Sequence, residues 1–294
     1  MNKALVSACL LAATLLSIAC GGSERASRTV LQNKGSDTLV NVAQAWAENY
    51  KEVNPNVAVA VTGGGSGTGI SAMINGTVDI ANASRKMKAK ELEMAQTNGI
   101  DPVEHTVGFD ALAVYVHPDN PAEGFSIEQL ADIYGEGGTT KTWDQLGLEV
   151  PGCSSGEIIR VSRQNNSGTY VYFKDAVLGK QRDYELGSRD MHGSKDVVDL
   201  VENTPCAIGY SGLAYATEHV KMPCVSANGE ASCVSPSVET AIDGTYPIAR
   251  PLFMYTAGPP EGAVKDYLDW ILSTDGQCII LGKGYAPVAA VSCS

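Results

Sequence analysis

Positive charge is scarce in this chain: 21 lysines and arginines stand against 33 aspartates and glutamates, a formal net charge of −12 over 294 residues. A nucleic-acid binder needs a basic stripe, so that class is excluded. Histidine is rare too. The four, at positions 105, 117, 192 and 219, are scattered, with no H-E-x-x-H and no paired ligand spacing. No C-x-x-C occurs, and no cysteine has a histidine at metal-ligand spacing, so no metal site is expected. Nothing points to a Ser–His–Asp triad. Carboxylates such as Glu91 and Glu93 fall on a polar helix, where a solvated face accounts for them. Internal repeats are absent. The length suits one large domain or two medium ones, and 44% hydrophobic residues suffice for a core.

What is there begins with an export pattern. Lys3 precedes an apolar run from Leu5 to Ile18, too short for a confident membrane span. Ser17-Ile18-Ala19-Cys20 follows, then a Gly- and Ser-containing stretch to Arg28. The segment resembles a bacterial lipoprotein cleavage box, with Ser17 where leucine is usual. The resemblance implies a signal peptide over 1–19, lipid on Cys20 and a tether over 20–28. Six cysteines then remain, and an even number in an exported chain reads as disulfides, with about 15 possible pairings. Cys224 and Cys233 flank the turn-rich Ser226-Ala227-Asn228-Gly229, which suits a hairpin-closing bridge. Cys278 with Cys293 would pin the C-terminus, leaving Cys153 with Cys206.

Strand and helix signals alternate, which predicts an α/β fold with the loops at the strand ends. Helices are expected over Leu39–Val53, Ile70–Asn75, Lys88–Asn98, Ser126–Ile133, Tyr170–Leu178 and Lys195–Val201, with Val264–Ser273 as the last. Two long extended segments, Phe109–Val116 and Tyr246–Tyr255, are placed to carry the chain out of one lobe and back. They predict a discontinuous lobe over 29–110 plus 252–294 and a second over 111–251. Trp46 and Tyr210 are read as core or interface residues.

Three strand-to-helix junctions carry small hydroxyl residues: Gly35-Ser36-Asp37-Thr38, Thr62-Gly63-Gly64-Gly65-Ser66-Gly67-Thr68-Gly69-Ile70 and Asn166-Ser167-Gly168-Thr169. A helix start with free N–H groups and nearby hydroxyls is a ready anion site, and three of them suggest convergence on one small anion. The glycine loop is no nucleotide loop. Ile70-Ser71 stands where a Walker loop needs Lys-Ser/Thr, no G-x-G-x-x-G can be laid on it, and Thr68 breaks the G-x-S-x-G elbow. Arg163 lies four residues before Ser167, where a guanidinium could neutralise an oxyanion without a metal. Ser84-Arg85 offers a further set of donors.

These pieces, with Gly76-Thr77-Val78-Asp79-Ile80 and Ala207-Ile208-Gly209-Tyr210, resemble in order and spacing the periplasmic phosphate-binding proteins of ABC-type phosphate uptake systems. The resemblance spans nearly all of the mature chain. It implies a type II-like two-lobe fold, each lobe a mixed sheet flanked by helices, closing on one dehydrated phosphate in the interlobe cleft. It carries phosphate contacts onto Thr38, Leu39 (by its backbone), Ser66, Arg163, Ser167, Gly168 and Thr169, with Ser36, Asp37, Ser84 and Arg85 beside them. No cofactor and no catalysis are implied. The partners would be inorganic phosphate and a permease–ATPase complex, the membrane would be reached only through the lipid, and a monomer is expected. Two positions depart from well-known members: Arg85 stands where an aspartate accepts the phosphate proton, and Asn165 where an aspartate tethers the binding arginine. Asp37 is the candidate substitute acceptor; its competing role is to cap the helix beginning near Leu39. The rivals are another tetrahedral oxyanion (sulfate, molybdate, tungstate), a secreted phosphoryl-transfer enzyme, and a surface adhesin or sensor.

Overall fold

The computed structural model describes residues 28–227 and 232–293; the expected signal peptide, Cys20 and most of the tether lie outside these, as does the Asn228-Gly229 turn. Along the chain run β1 (Thr29–Gly35), α1 (Val40–Val53), β2 (Val57–Thr62), α2 (Ser66–Ile74), β3 (Ile80–Ala83), α3 (Ala89–Thr97) and β4 (Val103–Val116). Next come β5 (Gly124–Ser126), α4 (Ile127–Tyr134), β6 (Ile159–Arg163), α5 (Gly168–Phe173), β7 (Arg189–Met191), α6 (Ser194–Glu202), β8 (Ala207–Gly212) and β9 (Cys224–Ser226). The chain closes with α7 (Val238–Ile242), β10 (Ala249–Thr256), α8 (Gly262–Ile271) and α9 (Thr274–Gly282).

Eight strands form one sheet in the order β2-β1-β3-β10-β4-β8-β6-β7. β4 is the seam. Its Val103–Ala111 half pairs antiparallel with β10, and its Leu112–Val116 half pairs antiparallel with β8. Around that switch, β1, β2 and β3 run parallel on one side and β6, β7 and β8 on the other. Each half is sandwiched by helices because its strands are apolar on both faces. On the β1 side, Trp46, Tyr50, Tyr267, Leu268 and Ile280 fill one face, while Ile70, Met73, Ile74 and Ala95 fill the other. On the β6 side, Leu130, Ile133, Tyr134, Phe173 and Tyr210 oppose Val197, Val198 and Val201. Trp46 and Tyr210 are thus core residues. Ser126 caps α4 through the expected box with Gln129.

Two differences from the sequence expectation bear on how the halves pack. Helix α2 starts at Ser66, four residues early, because the glycine loop itself winds into its first turn. Gly65 enters at φ +90°, and a β-carbon at Gly69 would lie 2.4 Å from the Lys34 carbonyl oxygen. Glycine is therefore needed for α2 to lie directly on the β1 backbone, and that packing overrides its poor helix propensity. Helix α8 is not the last, since α9 follows within a few residues. Gly276 abuts the Trp270 and Ile271 carbonyls, and its own carbonyl accepts from Trp46 Nε1 at 2.7 Å. The structure joins Cys153–Cys206, Cys224–Cys233 and Cys278–Cys293.

Candidate anion-binding site

The ends of β1, β3 and β6 and the starts of α1, α2 and α5 meet where the two halves face each other. From the first half come Ser36, Asp37 and Thr38 after β1, Ser66 at the start of α2, and Ser84-Arg85 after β3. From the second come Arg163 at the end of β6 and Ser167-Gly168-Thr169 at the start of α5. All are buried, and Ser66, Ser84, Arg163 and Thr169 are almost completely enclosed. Burying so many polar groups is tolerable only if they are paired or held ready for a polar ligand.

Five residues converge most closely. Thr38 Oγ1 lies 3.1 Å from Thr169 Oγ1, across the interlobe seam. Ser66 Oγ lies 3.4 Å from Ser84 Oγ and accepts the Ser84 N–H at 3.0 Å. Gly168 closes the ring, since a β-carbon there would stand 2.3 Å from Ser66 Oγ and 2.5 Å from Ser84 Oγ. Ser66 and Gly168 are also first-turn residues of α2 and α5, whose N–H groups have no intrahelical acceptor. Ser167 stands slightly aside, its hydroxyl capping α5 by accepting the Thr169 N–H at 3.1 Å. The Leu39 side chain packs in the core, and its N–H turns back to the Ser36 carbonyl at 3.1 Å.

The charged residues are already engaged. Asp37 does not cap α1. One carboxylate oxygen accepts the Gly64 N–H at 2.8 Å and the other accepts from Arg163 Nη2 at 3.1 Å. The Arg163 fork also donates to the His192 carbonyl at 2.7 Å and to Ser194 Oγ at 2.9 Å. Burial pushes the Arg163 pKa down, with the Asp37 charge opposing that shift. Arg85 turns away from the hydroxyl ring to a two-pronged bond with Glu91, at 2.8 and 2.7 Å. Burial pushes the Glu91 pKa up, but the bonds from Arg85 and the Lys88 N–H outweigh it and hold the carboxyl below its usual range.

A third arginine was not anticipated from sequence. Arg250 on β10 faces Asp110 on β4 in direct cross-strand register, at 2.8 Å, with both side chains wholly enclosed. Burial pushes the Asp110 pKa up, while the Arg250 charge and hydrogen bonds work against it. Arg250 Nη2 also donates to Thr38 Oγ1 at 3.2 Å and Thr169 Oγ1 at 3.1 Å, and Nη1 donates to the Ser84 carbonyl at 3.2 Å. The signal was present in the sequence: each crossing segment carries a single charge inside an otherwise apolar run, Asp110 in one and Arg250 in the other. All three arginines thus have a carboxylate partner, and what remains for a ligand is a set of hydroxyls and N–H groups. Among the described residues no group of three or more His, Cys, Asp or Glu could hold a metal ion.

Further bonds hold the lobes together at the rim. Asn166 Nδ2 donates to the Gly64 carbonyl at 3.0 Å, and the Gly67 N–H donates to the Asn166 carbonyl at 3.0 Å. Tyr215 OH donates to the Asp37 carbonyl at 2.6 Å. With Asp37–Arg163 and Thr38–Thr169, these contacts define a closed arrangement.

The PBP superfamily domain matches residues 22–275. The phosphate-binding protein PstS of Pseudomonas aeruginosa is 35% identical, covering 88% of this chain and 83% of its own length. That of Bacillus subtilis is 31% identical over 98% of this chain and 94% of its own. A Clostridium perfringens ABC transporter substrate-binding protein, solved with bound phosphate, superposes with a TM-score of 0.78 at 27% identity. It covers 89% of this chain and 100% of that one. The chain therefore belongs to the PstS-like family of phosphate-binding proteins, the substrate-binding components of ABC transporters.

Proposed function

We propose that this protein binds inorganic phosphate between its two lobes, outside the cytoplasm, and hands it to an ABC permease. The observation that carries the reading is the ring of Thr38, Ser66, Ser84, Gly168 and Thr169. It is drawn from both lobes and sealed from solvent. Such a ring offers hydroxyl and N–H donors to a tetrahedral anion while the nearby arginines are balanced by Asp37, Glu91 and Asp110. Local donors are what a chain of net charge −12 needs, since its long-range field opposes an approaching anion. In this reading the anion is bound directly by Thr38, Ser66, Ser84, the Gly168 N–H and Thr169. Ser36, Leu39 and Ser167 shape the turns that carry them, and the buried Arg163 supplies a remaining N–H. Binding stabilises the closed form, which docks on the permease.

The protein is held at the membrane by lipid on Cys20, with 20–28 as its tether. Among the described residues no helix is long and apolar enough to cross a membrane. One observation favours a second reading, a cup shared with another tetrahedral oxyanion. Both carboxylate oxygens of Asp37 already accept hydrogen bonds, from the Gly64 N–H and from Arg163, where a phosphate proton would need a free acceptor. Calorimetric titration of the ligand-stripped soluble domain with phosphate, sulfate, arsenate and molybdate decides. Micromolar or tighter phosphate binding is expected, and its failure overturns the reading.

A further inference from the structure

We infer that Arg250 is a positioning residue for the anion, acting through the hydroxyls of Thr38 and Thr169 and thereby tying ligand capture to lobe closure. The inference rests on the phosphate-binding reading. A guanidinium Nη2 carries two hydrogens, and here it meets three acceptors: Asp110 Oδ2 at 2.8 Å, Thr169 Oγ1 at 3.1 Å and Thr38 Oγ1 at 3.2 Å. The Asp110 bond takes one hydrogen, leaving the other shared between the two threonines. A hydroxyl has one O–H to donate and two lone pairs. Each threonine oxygen that accepts from Arg250 is left with its O–H to aim elsewhere. The two hydroxyls lie 3.1 Å apart, so one can donate to the other, which leaves the second O–H without an acceptor in this contact. An anion entering the ring gives both O–H groups a charged acceptor, one from each lobe, with their oxygens already held from behind.

Arg250 is well placed to hold them. It stands on β10, one of the two strands at the lobe junction, and Asp110 on β4 clamps it through Nε at 3.1 Å as well as Nη2. Its Nη1 donates to the Ser84 carbonyl at 3.2 Å. Neither Arg250 nor Asp110 has exposed side-chain surface, so the fork has no solvent alternative. Thr38 comes from one half and Thr169 from the other, so Arg250 can hold both hydroxyls together only when the lobes are closed on each other. Asp110 balances the Arg250 charge, which keeps the residue a director of hydroxyls rather than a free cation for the anion to seize.

Calorimetry on the wild type, Thr169→Val, Thr169→Ser, Arg250→Lys and the double variant Arg250→Lys/Thr169→Val tests the inference. Lysine keeps the charge for Asp110 but lacks the fork. Thr169→Val and Arg250→Lys are each expected to weaken phosphate binding about 10- to 100-fold, the range for a hydrogen bond to a charged group. Thr169→Ser, which keeps the hydroxyl, should bind more tightly than Thr169→Val. The double variant should be little weaker than either single one, because both remove one connected interaction. Multiplicative losses in the double variant, or wild-type affinity in Arg250→Lys, would overturn the inference. If Arg250→Lys does not fold, Thr169→Val leaves the buried pair intact, and unchanged binding by that variant overturns it as well. A wild type that binds no phosphate sinks the parent reading instead, so the two failures are separable.

Discussion

Replacing Asp37 with asparagine probes the Asp37–Arg163 charge contact across the interlobe seam. The amide oxygen can still accept the Gly64 N–H. The amide NH2, however, would face Arg163 Nη2, a donor against a donor, where a carboxylate oxygen now sits at 3.1 Å. The Arg163 side chain is 1% exposed, so water cannot replace the lost partner. Removing one member of a fully buried ion pair costs about 3–5 kcal/mol. Arg163 keeps the His192 carbonyl and Ser194 Oγ as neutral acceptors. The cost should therefore fall to about 2–3 kcal/mol, within the range of a charged hydrogen bond. Asp37 and Arg163 lie on different lobes, so the loss burdens the closed form and leaves the open one nearly untouched. At about 1.4 kcal/mol per factor of ten, apparent affinity should drop about 30- to 140-fold. The ligand-free melting temperature should change little. Calorimetry of the stripped variant against phosphate and sulfate measures this, with small-angle scattering to follow closure. Affinity within twofold of wild type would refute the latch. A loss confined to phosphate, sparing any binding of sulfate, would instead make Asp37 the reader of the phosphate proton.

Gly168→Ala should abolish tight phosphate binding, with a loss beyond about 100-fold, because overpacking of this kind costs about 1–3 kcal/mol or more and the new methyl would overlap the Ser66 and Ser84 hydroxyls. The open lobes have room for it, so the unliganded melting temperature should stay near wild type. Cys153→Ser/Cys206→Ser opens a 53-residue loop, and loop-closure entropy puts the cost at about 4 kcal/mol. Urea unfolding should record it, while phosphate affinity, set at the distant interlobe ring, stays the same. Asp132, held down to a pKa of about 2 chiefly by the Thr140 hydroxyl and also by N–H groups of Thr139 and Thr140, gives an acid-sensitive contribution to stability. Its folded pKa lies below the ordinary value, so the contribution is present above about pH 4 and lost as pH falls through about 2. Thermal unfolding of Asp132→Asn against wild type should show the difference shrinking over that window.

Much of this molecule was legible in the sequence because it rests on local chemistry. Alternating apolar runs specify strands and helices, glycines and hydroxyls mark where a strand passes into a helix, and Ser126 with Gln129 announces a capping box. These signals lie within a few residues of one another, and they brought Thr38, Ser66, Ser84, Gly168 and Thr169 forward as candidates. The tertiary structure decided which groups are spent on the protein and which are left for the ligand. Asp37 and Arg163 are 126 residues apart and Asp110 and Arg250 are 140 apart, so no local pattern could pair them. Their pairing follows from strand register and lobe closure. Once enclosed, each charge must be balanced, which takes Arg85 and two of the carboxylates out of contention as free partners and makes Arg250 the support of the cup. The sequence by itself determined a chain with anion-ready helix starts. Only the packing of two crossing strands could turn those starts toward one point and neutralise the charges around it, because burial, not proximity in the chain, sets the cost of an unpaired charge.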